Sequence, residues 1–289
     1  MNSQIVEVPA TQWQLPATNS NWINALEQGK VLYFPTLPFT LSEAEQTLLT
    51  PAVLEENVRN ISLAAENQLK GAAGDEHTKV LLTQMLKRYR TQSAQLIYSL
   101  LPKYKGALRC APTSYRPKTV EARKQSWRAD DRRMHVDAFP SRPNRGERIL
   151  RVFSNVNPDG VPRVWRVGEP FADMVETMLP RCKPYVGWQA KALNKLGITK
   201  SLRSEYDHFM LQLHDNMKAD MNYQQQAKQI TMPFASGSVW VCFSDHALHG
   251  VESGQYMMEQ TFHIAPEDQY NPNISPLAHL SQVMQRPLV

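Results

Sequence analysis

Apolar residues fall on both parities of the stretch Gly237 to Phe243, where Val239, Val241 and Phe243 interleave with Trp240 and Cys242. A period-2 run of this kind predicts a strand packed on both faces. A second extended run covers Met257 to Ile264, after the turn at Ser253-Gly254. Pairing the two as a hairpin would set the polar segment between them, with His246 and His249, at its mouth. Further strand-like runs span 107–116, 133–139, 148–156 and 161–167, punctuated by Pro143-Asn144 and Pro158-Asp159-Gly160. Val31 to Pro35 reads as a short buried strand ended by its proline.

Other segments change period to 3.6. Ser42-Glu43-Ala44-Glu45 has capping-box spacing, and Thr50-Pro51 reads as an N-cap leading into Leu54, Val58, Ile61, Ala65 and Leu69 on one helical face. Glu76 to Leu101 carries a longer apolar stripe through Leu82, Met85, Leu86, Tyr89, Leu96, Ile97 and Leu100, stopped by Pro102. Three more helical patterns cover 171–179, 186–196 and 202–226. The expected fold is therefore mainly β with flanking helices, of the α+β class. Residues 1–106 form a mostly helical buttress, 107–265 a sheet core with a helical insertion at about 170–230, and 266–289 a tail.

The 289 residues, 42% hydrophobic and 20% charged, supply ample core and show no linker-like run, so one domain is expected. Three widely spaced cysteines exclude a disulfide framework or a cysteine-based zinc site and fit a reducing compartment. The chain opens without a basic and then apolar leader, and no apolar run is long enough to span a membrane, so a cytoplasmic protein is expected. Its net charge of +5 is local. From Arg116 to Arg151 there are eleven Lys or Arg against five acidic residues, more than the whole surplus of the chain. This segment suggests an anionic ligand, with Arg128, Arg132, Arg142, Arg145 and Arg148 as substrate-binding candidates.

His135-Val136-Asp137 lies within the same segment. On a strand an imidazole and a carboxylate at i and i+2 share a face and can reach one metal ion. A second histidine from a distant strand would complete a 2-His-1-carboxylate triad, which leaves three positions open and suits Fe(II). His246 and His249 both compete for that place. His249 is favoured, because Gly250 would let the backbone approach closely.

With these residues in view, the chain resembles the Fe(II)/2-oxoglutarate-dependent oxygenases, which carry H-x-D on an early strand and a distal histidine on a late one. Gly237 to Phe243 followed by His249-Gly250-Val251 matches the usual context of that histidine, and Arg148 to Pro158 resembles the strand and turn after H-x-D in the prolyl-hydroxylase branch. More closely, His135-Val-Asp-Ala-Phe-Pro-Ser-Arg-Pro, Asn155-Val-Asn-Pro and Tyr206 to Asp215 look like the bacterial 3-deoxy-D-manno-oct-2-ulosonic acid (Kdo) hydroxylases. The resemblance implies a double-stranded β-helix (jelly-roll, cupin-like) core, with His135, Asp137 and His249 as metal and catalytic residues. It also implies Fe(II), 2-oxoglutarate and O2 as cofactor and cosubstrates, and C3 hydroxylation of Kdo in Kdo-lipid A. A lipid substrate would bring the protein to the inner membrane face. No nucleic-acid partner is expected. Two other readings remain open: an oxygenase acting on nucleic acid, and a non-catalytic cupin-like carbohydrate-binding protein.

The chain departs from the pattern at Met258, Glu259 and Gln260, where many of these oxygenases carry the cation that holds the 2-oxoglutarate 5-carboxylate. Arg151 becomes the leading candidate, since strand parity puts Arg151, Phe153 and Asn155 on one face and Arg148 and Leu150 on the other. Asn155, Arg163 and Arg166 complete the cosubstrate-binding set.

Overall fold

The computed structural model describes residues 3–120 and 125–289; Arg123 and Lys124 of the basic stretch lie outside them. Two sheets face one another. The larger has eight strands, and its N-terminal members are β1 (Ile5–Glu7) and β2 (Val31–Phe34), separated by helix α1 (Ser20–Glu27). After the four-residue α2 (Glu43–Gln46), whose Ser42 and Glu45 form the expected capping box, come β3 (Ile61–Leu63) and β4 (Leu69–Lys70). Helix α3 (Glu76–Leu100) runs to Pro102 as its pattern predicted, and β5 (Arg109–Arg116) and β6 (Arg148–Asn155) follow. The smaller sheet begins with β7 (Arg163–Gly168).

The helical insertion contains α4 (Phe171–Met178), α5 (Gly187–Lys195), α6 (Glu205–Ala219) and α7 (Met221–Gln226). Then come β8 (Gln229–Phe234), β9 (Val239–Phe243), β10 (His249–Ser253), β11 (Met257–Ile264) and α8 (Pro276–Val283). The large sheet has the order β1-β2-β9-β6-β11-β5-β3-β4 and the small one β10-β7-β8. This is the jelly-roll, double-stranded β-helix expected above.

Strand β9 is buried along its whole length because each face meets a different core. Val239, Val241 and Phe243 pack with Leu150 and Val152 under α1 and α3, while Trp240 and Cys242 point between the sheets with Phe153, Trp165 and Phe234. There, Phe234 and Trp240 stack with centroids 4.3 Å apart. No helix among the described residues is long and apolar enough to cross a membrane.

Four expectations are corrected. Residues 54–69 are not a helix: Thr50 caps only the 3-10 turn Pro51–Val53, and Leu54 then pairs with Ala72 across a β-hairpin. Asn57 and Asn67 adopt positive φ of 62° and 65°, which an α-helix cannot contain. Runs β9 and β11 form no hairpin, since β6 lies between them and pairs with both. The 202–226 helix is two, broken at Asp220, whose carboxylate caps the second by accepting from Tyr223 N. Finally, 133–139 is no strand but makes a single antiparallel bridge, His135 to His249.

Candidate active site

That bridge builds the centre of the site. His135 N donates to His249 O and His249 N to His135 O, both at 2.9 Å, so the two imidazoles leave from facing backbone positions. Asp137 is tied two residues on, its N–H donating to Ser244 O at 2.8 Å. Strand pairing would leave Met134 without partners, but the Gln224 side chain serves in place of a strand: Met134 N donates to its Oε1 at 2.7 Å, and its Nε2 donates to Met134 O at 3.0 Å. Gly250 is required for space, because a Cβ there would stand 2.9 Å from Arg132 O.

His135, Asp137 and His249 offer one ligand atom each, all within 4.8 Å of one another. The donor chemistry fits a metal ion. His135 Nδ1 lies 2.7 Å from Arg133 O and His249 Nδ1 2.9 Å from Ala247 O; a carbonyl only accepts, so each Nδ1 carries the proton and each Nε2 keeps its lone pair for the ion. Trp165 stacks on the His249 ring at 5.1 Å and fixes its plane. Burial, with His249 beside it, holds His135 well below the ordinary histidine pKa, and burial lowers His249 too, so both imidazoles are neutral at neutral pH, the form in which a histidine can coordinate a metal. Burial pushes the Asp137 carboxyl up, but the Arg151 guanidinium beside it outweighs this and holds it well below the usual carboxylate range.

The cavity at this centre, about 250 Å³, is lined by Arg59, Arg116, Arg151 and Arg163 and by Asp131, Asp137 and Glu259. Arg151 Nη2 lies 2.8 Å from Asp137 Oδ2, and its Nη1 lies 3.1 Å from Glu259 Oε1. Arg116 holds the other Glu259 oxygen at 2.9 Å. Glu259, at the position where a cation was missing, is thus the carboxylate that fixes two arginines. Four guanidinium groups and a divalent ion would outweigh three carboxylates, leaving a field for anions.

The other candidates are placed differently. Arg163 lines the cavity with Trp165, as period 2 requires, and donates to Gly254 O. Arg166 points to the opposite face, where it binds the carbonyls of Gln224 and Arg132 and pairs with Glu252, and it does not line this cavity. Asn155 has the parity of Arg151 but is spent on a turn, donating to Val161 O and Phe234 O and accepting from Asn157 N. Arg148 is fully buried on the far face against Asp245, Gln269 and His246, and His246 packs there on Phe171, outside the triad.

Among its described residues the basic stretch forms no continuous cationic surface. Arg128 pairs with Asp215 and Arg132 with Asp130, and Arg145 forms a turn whose N–H binds Asp207. Arg142 lines a small neighbouring cleft beside Asp137 and Phe139. Sequence reasoning missed Arg59, Arg116, Glu259, Trp165 and Gln224. Only Arg116 had a signal, as a member of the basic segment.

A jelly-roll holding a 2-His-1-carboxylate set with open positions is the framework of the non-haem Fe(II) oxygenases that use 2-oxoglutarate. The profile of the 3-deoxy-D-manno-oct-2-ulosonic acid (Kdo) hydroxylases matches residues 10–287, and the chain belongs to that family. It is similar to the crystal structure of the Kdo hydroxylase KdoO, a non-heme Fe(II) alphaketoglutarate-dependent dioxygenase, in complex with alphaketoglutarate and Fe(III). The two are 42% identical with a TM-score of 0.93 over 99% of this chain and 97% of that one. The cobalt(II) complex matches at 41% identity and TM-score 0.95, covering 99% and 98%, and the succinate and Fe(III) complex at 41% and 0.93, with the same coverage. Sequence comparison with curated proteins gives no match.

Proposed function

We propose that this chain hydroxylates the Kdo sugar of Kdo-lipid A at C3, using Fe(II), 2-oxoglutarate and O2. The observation that carries the reading is the convergence of His135, Asp137 and His249, with both histidines presenting Nε2, inside a cavity ringed by arginines. The three residues would hold iron, which when bound supplies dioxygen activation coupled to 2-oxoglutarate decarboxylation. Arg151 and Arg163 orient the carboxylate groups of 2-oxoglutarate, Arg151 doing so beside the ligand it already steers. Arg116 and Arg59, at the same cavity, offer charge to an acidic sugar. Trp165 and Phe153 close the floor against water. A lipid-borne substrate also implies peripheral contact with the inner membrane face.

The test is incubation of the protein with iron, ascorbate, 2-oxoglutarate and Kdo-lipid A, followed by mass spectrometry. The expected product gains the mass of one oxygen atom on the Kdo unit, with one succinate formed per turnover. Succinate release that does not depend on the Kdo substrate would overturn the assignment.

A further inference from the structure

Helix α5 and the loop after it are thinly packed. Of the nine residues of α5 only Ala190 is buried. Trp188 is 70% exposed and Leu196 73% exposed, and Ile198 and Leu202 also stand in solvent. Apolar side chains so exposed in one short segment are not explained by packing, and such patches mark contact surfaces. The charge of the segment is one-sided: between Thr177 and Ser204 there are six Lys or Arg and no Asp or Glu. Arg181 is committed to Asp220, and Arg203 to the Pro140 carbonyl. Lys183, Lys191, Lys195 and Lys200 are exposed. Trp188, Lys191 and Lys195 follow one another at i, i+3 and i+7, on one face of α5.

We propose that this surface docks the protein on an anionic phospholipid bilayer, with Trp188, Leu196, Ile198 and Leu202 entering the headgroup layer and the lysines meeting lipid phosphates. An aromatic and aliphatic face set among lysines is the pattern of an interfacial anchor. A second copy of this chain is a poorer occupant, because a two-fold contact would bring the same unpaired cations together. A nucleic acid would leave Leu196, Ile198 and Leu202 in water, since phosphates do not cover aliphatic groups. The surface adjoins the site: Lys200 N donates to Ser141 O at 2.9 Å and Arg203 Nη2 to Pro140 O at 2.6 Å. Pro140 and Ser141 directly follow Phe139, which lines the metal-site cavity. The proposal gives the contact through which the activity proposed above would reach a lipid-borne sugar, and it rests on that reading for its purpose.

The full-length protein is sedimented with vesicles of phosphatidylcholine alone or mixed with phosphatidylglycerol, none containing Kdo. Binding to the anionic vesicles that weakens with salt is expected. Lys191→Gln with Lys195→Gln should reduce the partition coefficient about 25-fold, roughly fivefold for each lysine. Trp188→Ser with Leu196→Ser should reduce it about tenfold. Both variants should keep the wild-type melting temperature and full turnover of a water-soluble Kdo glycoside, while losing turnover of Kdo-lipid A in vesicles. Equal binding to neutral and anionic vesicles, no binding to either, unchanged partition of the lysine variant, or binding to RNA in preference to vesicles would overturn the docking surface. If the wild type turned over neither Kdo substrate, the hydroxylase reading would fail, and the vesicle measurements would still decide the docking surface alone.

Discussion

Arg151 is the residue whose replacement separates two roles that share one guanidinium. In Arg151→Ala, Glu259 keeps Arg116 at 2.9 Å, but Asp137 loses the guanidinium group that pairs with it. Breaking a buried pair costs about 3–5 kcal/mol. The Arg151 and Asp137 side chains retain 13% and 12% exposure, which places the expected loss near the lower end, about 3 kcal/mol in the metal-free protein at pH 7. For a chain of this size that is a fall in Tm of roughly 6 °C. A divalent ion at Asp137 supplies positive charge in place of the guanidinium, so cobalt(II) should narrow the gap between variant and wild type. Scanning calorimetry with and without cobalt(II) measures both quantities. The KM for 2-oxoglutarate should also rise, by roughly 30-fold for a loss of about 2 kcal/mol, because two carboxylates already compensate part of the charge. Arg151→Lys should restore only part of it, since an ammonium lacks the fork. An equal loss of Tm with and without metal would refute the electrostatic account of Asp137. An unchanged KM would move the carboxylate contact to Arg163 or Arg116.

Three further outcomes are expected. His135→Ala, Asp137→Ala and His249→Ala should each abolish turnover and cobalt binding while leaving the circular dichroism spectrum intact, whereas His246→Ala should still bind cobalt; the reverse pattern would reassign the distal ligand. Gln224→Leu should destabilise the protein by about 2–4 kcal/mol in urea unfolding, because Met134 N–H and C=O are both left buried without partners; a loss below 0.5 kcal/mol, the size of an ordinary surface change, would show that water replaces the glutamine. Burial keeps His135, His249 and His246 neutral in the fold, while the unfolded chain takes up protons below about pH 6.5. More protons bound in the unfolded state means that stability rises with pH, so metal-free protein should lose stability as pH falls from 6.5 to 5. A flat profile over that range would contradict the burial of these imidazoles.

Legibility in the sequence followed the range of the interaction. Strands such as β9 and helix α3 declared themselves because their own side chains carry the period, and strand parity correctly separated Arg151 from Arg148. Residues 54–69 were misread because their spacing satisfies a helix equally well, and only the backbone of Asn57 and Asn67 decides for the hairpin. At Asn155 the parity holds, but turn hydrogen bonds to Val161 O, Phe234 O and Asn157 N take up the side chain. The order of β9, β6 and β11 was hidden, since both partners of β6 lie about a hundred residues away. Glu259 looked like an absence because its meaning depends on two arginines from other strands.

The bridge between His135 and His249 has a consequence for motion as well as for binding. The two candidate ligands are also each other's backbone partners, so any opening that parts the H-x-D loop from β10 pulls their imidazoles apart. An ion held by both would oppose that opening in proportion to its own affinity. Exchange of just two amide protons, those of His135 and His249, then becomes a gauge of occupancy that needs no turnover at all. Metal-free protein should exchange them by local opening, and loaded protein only as fast as it releases the ion.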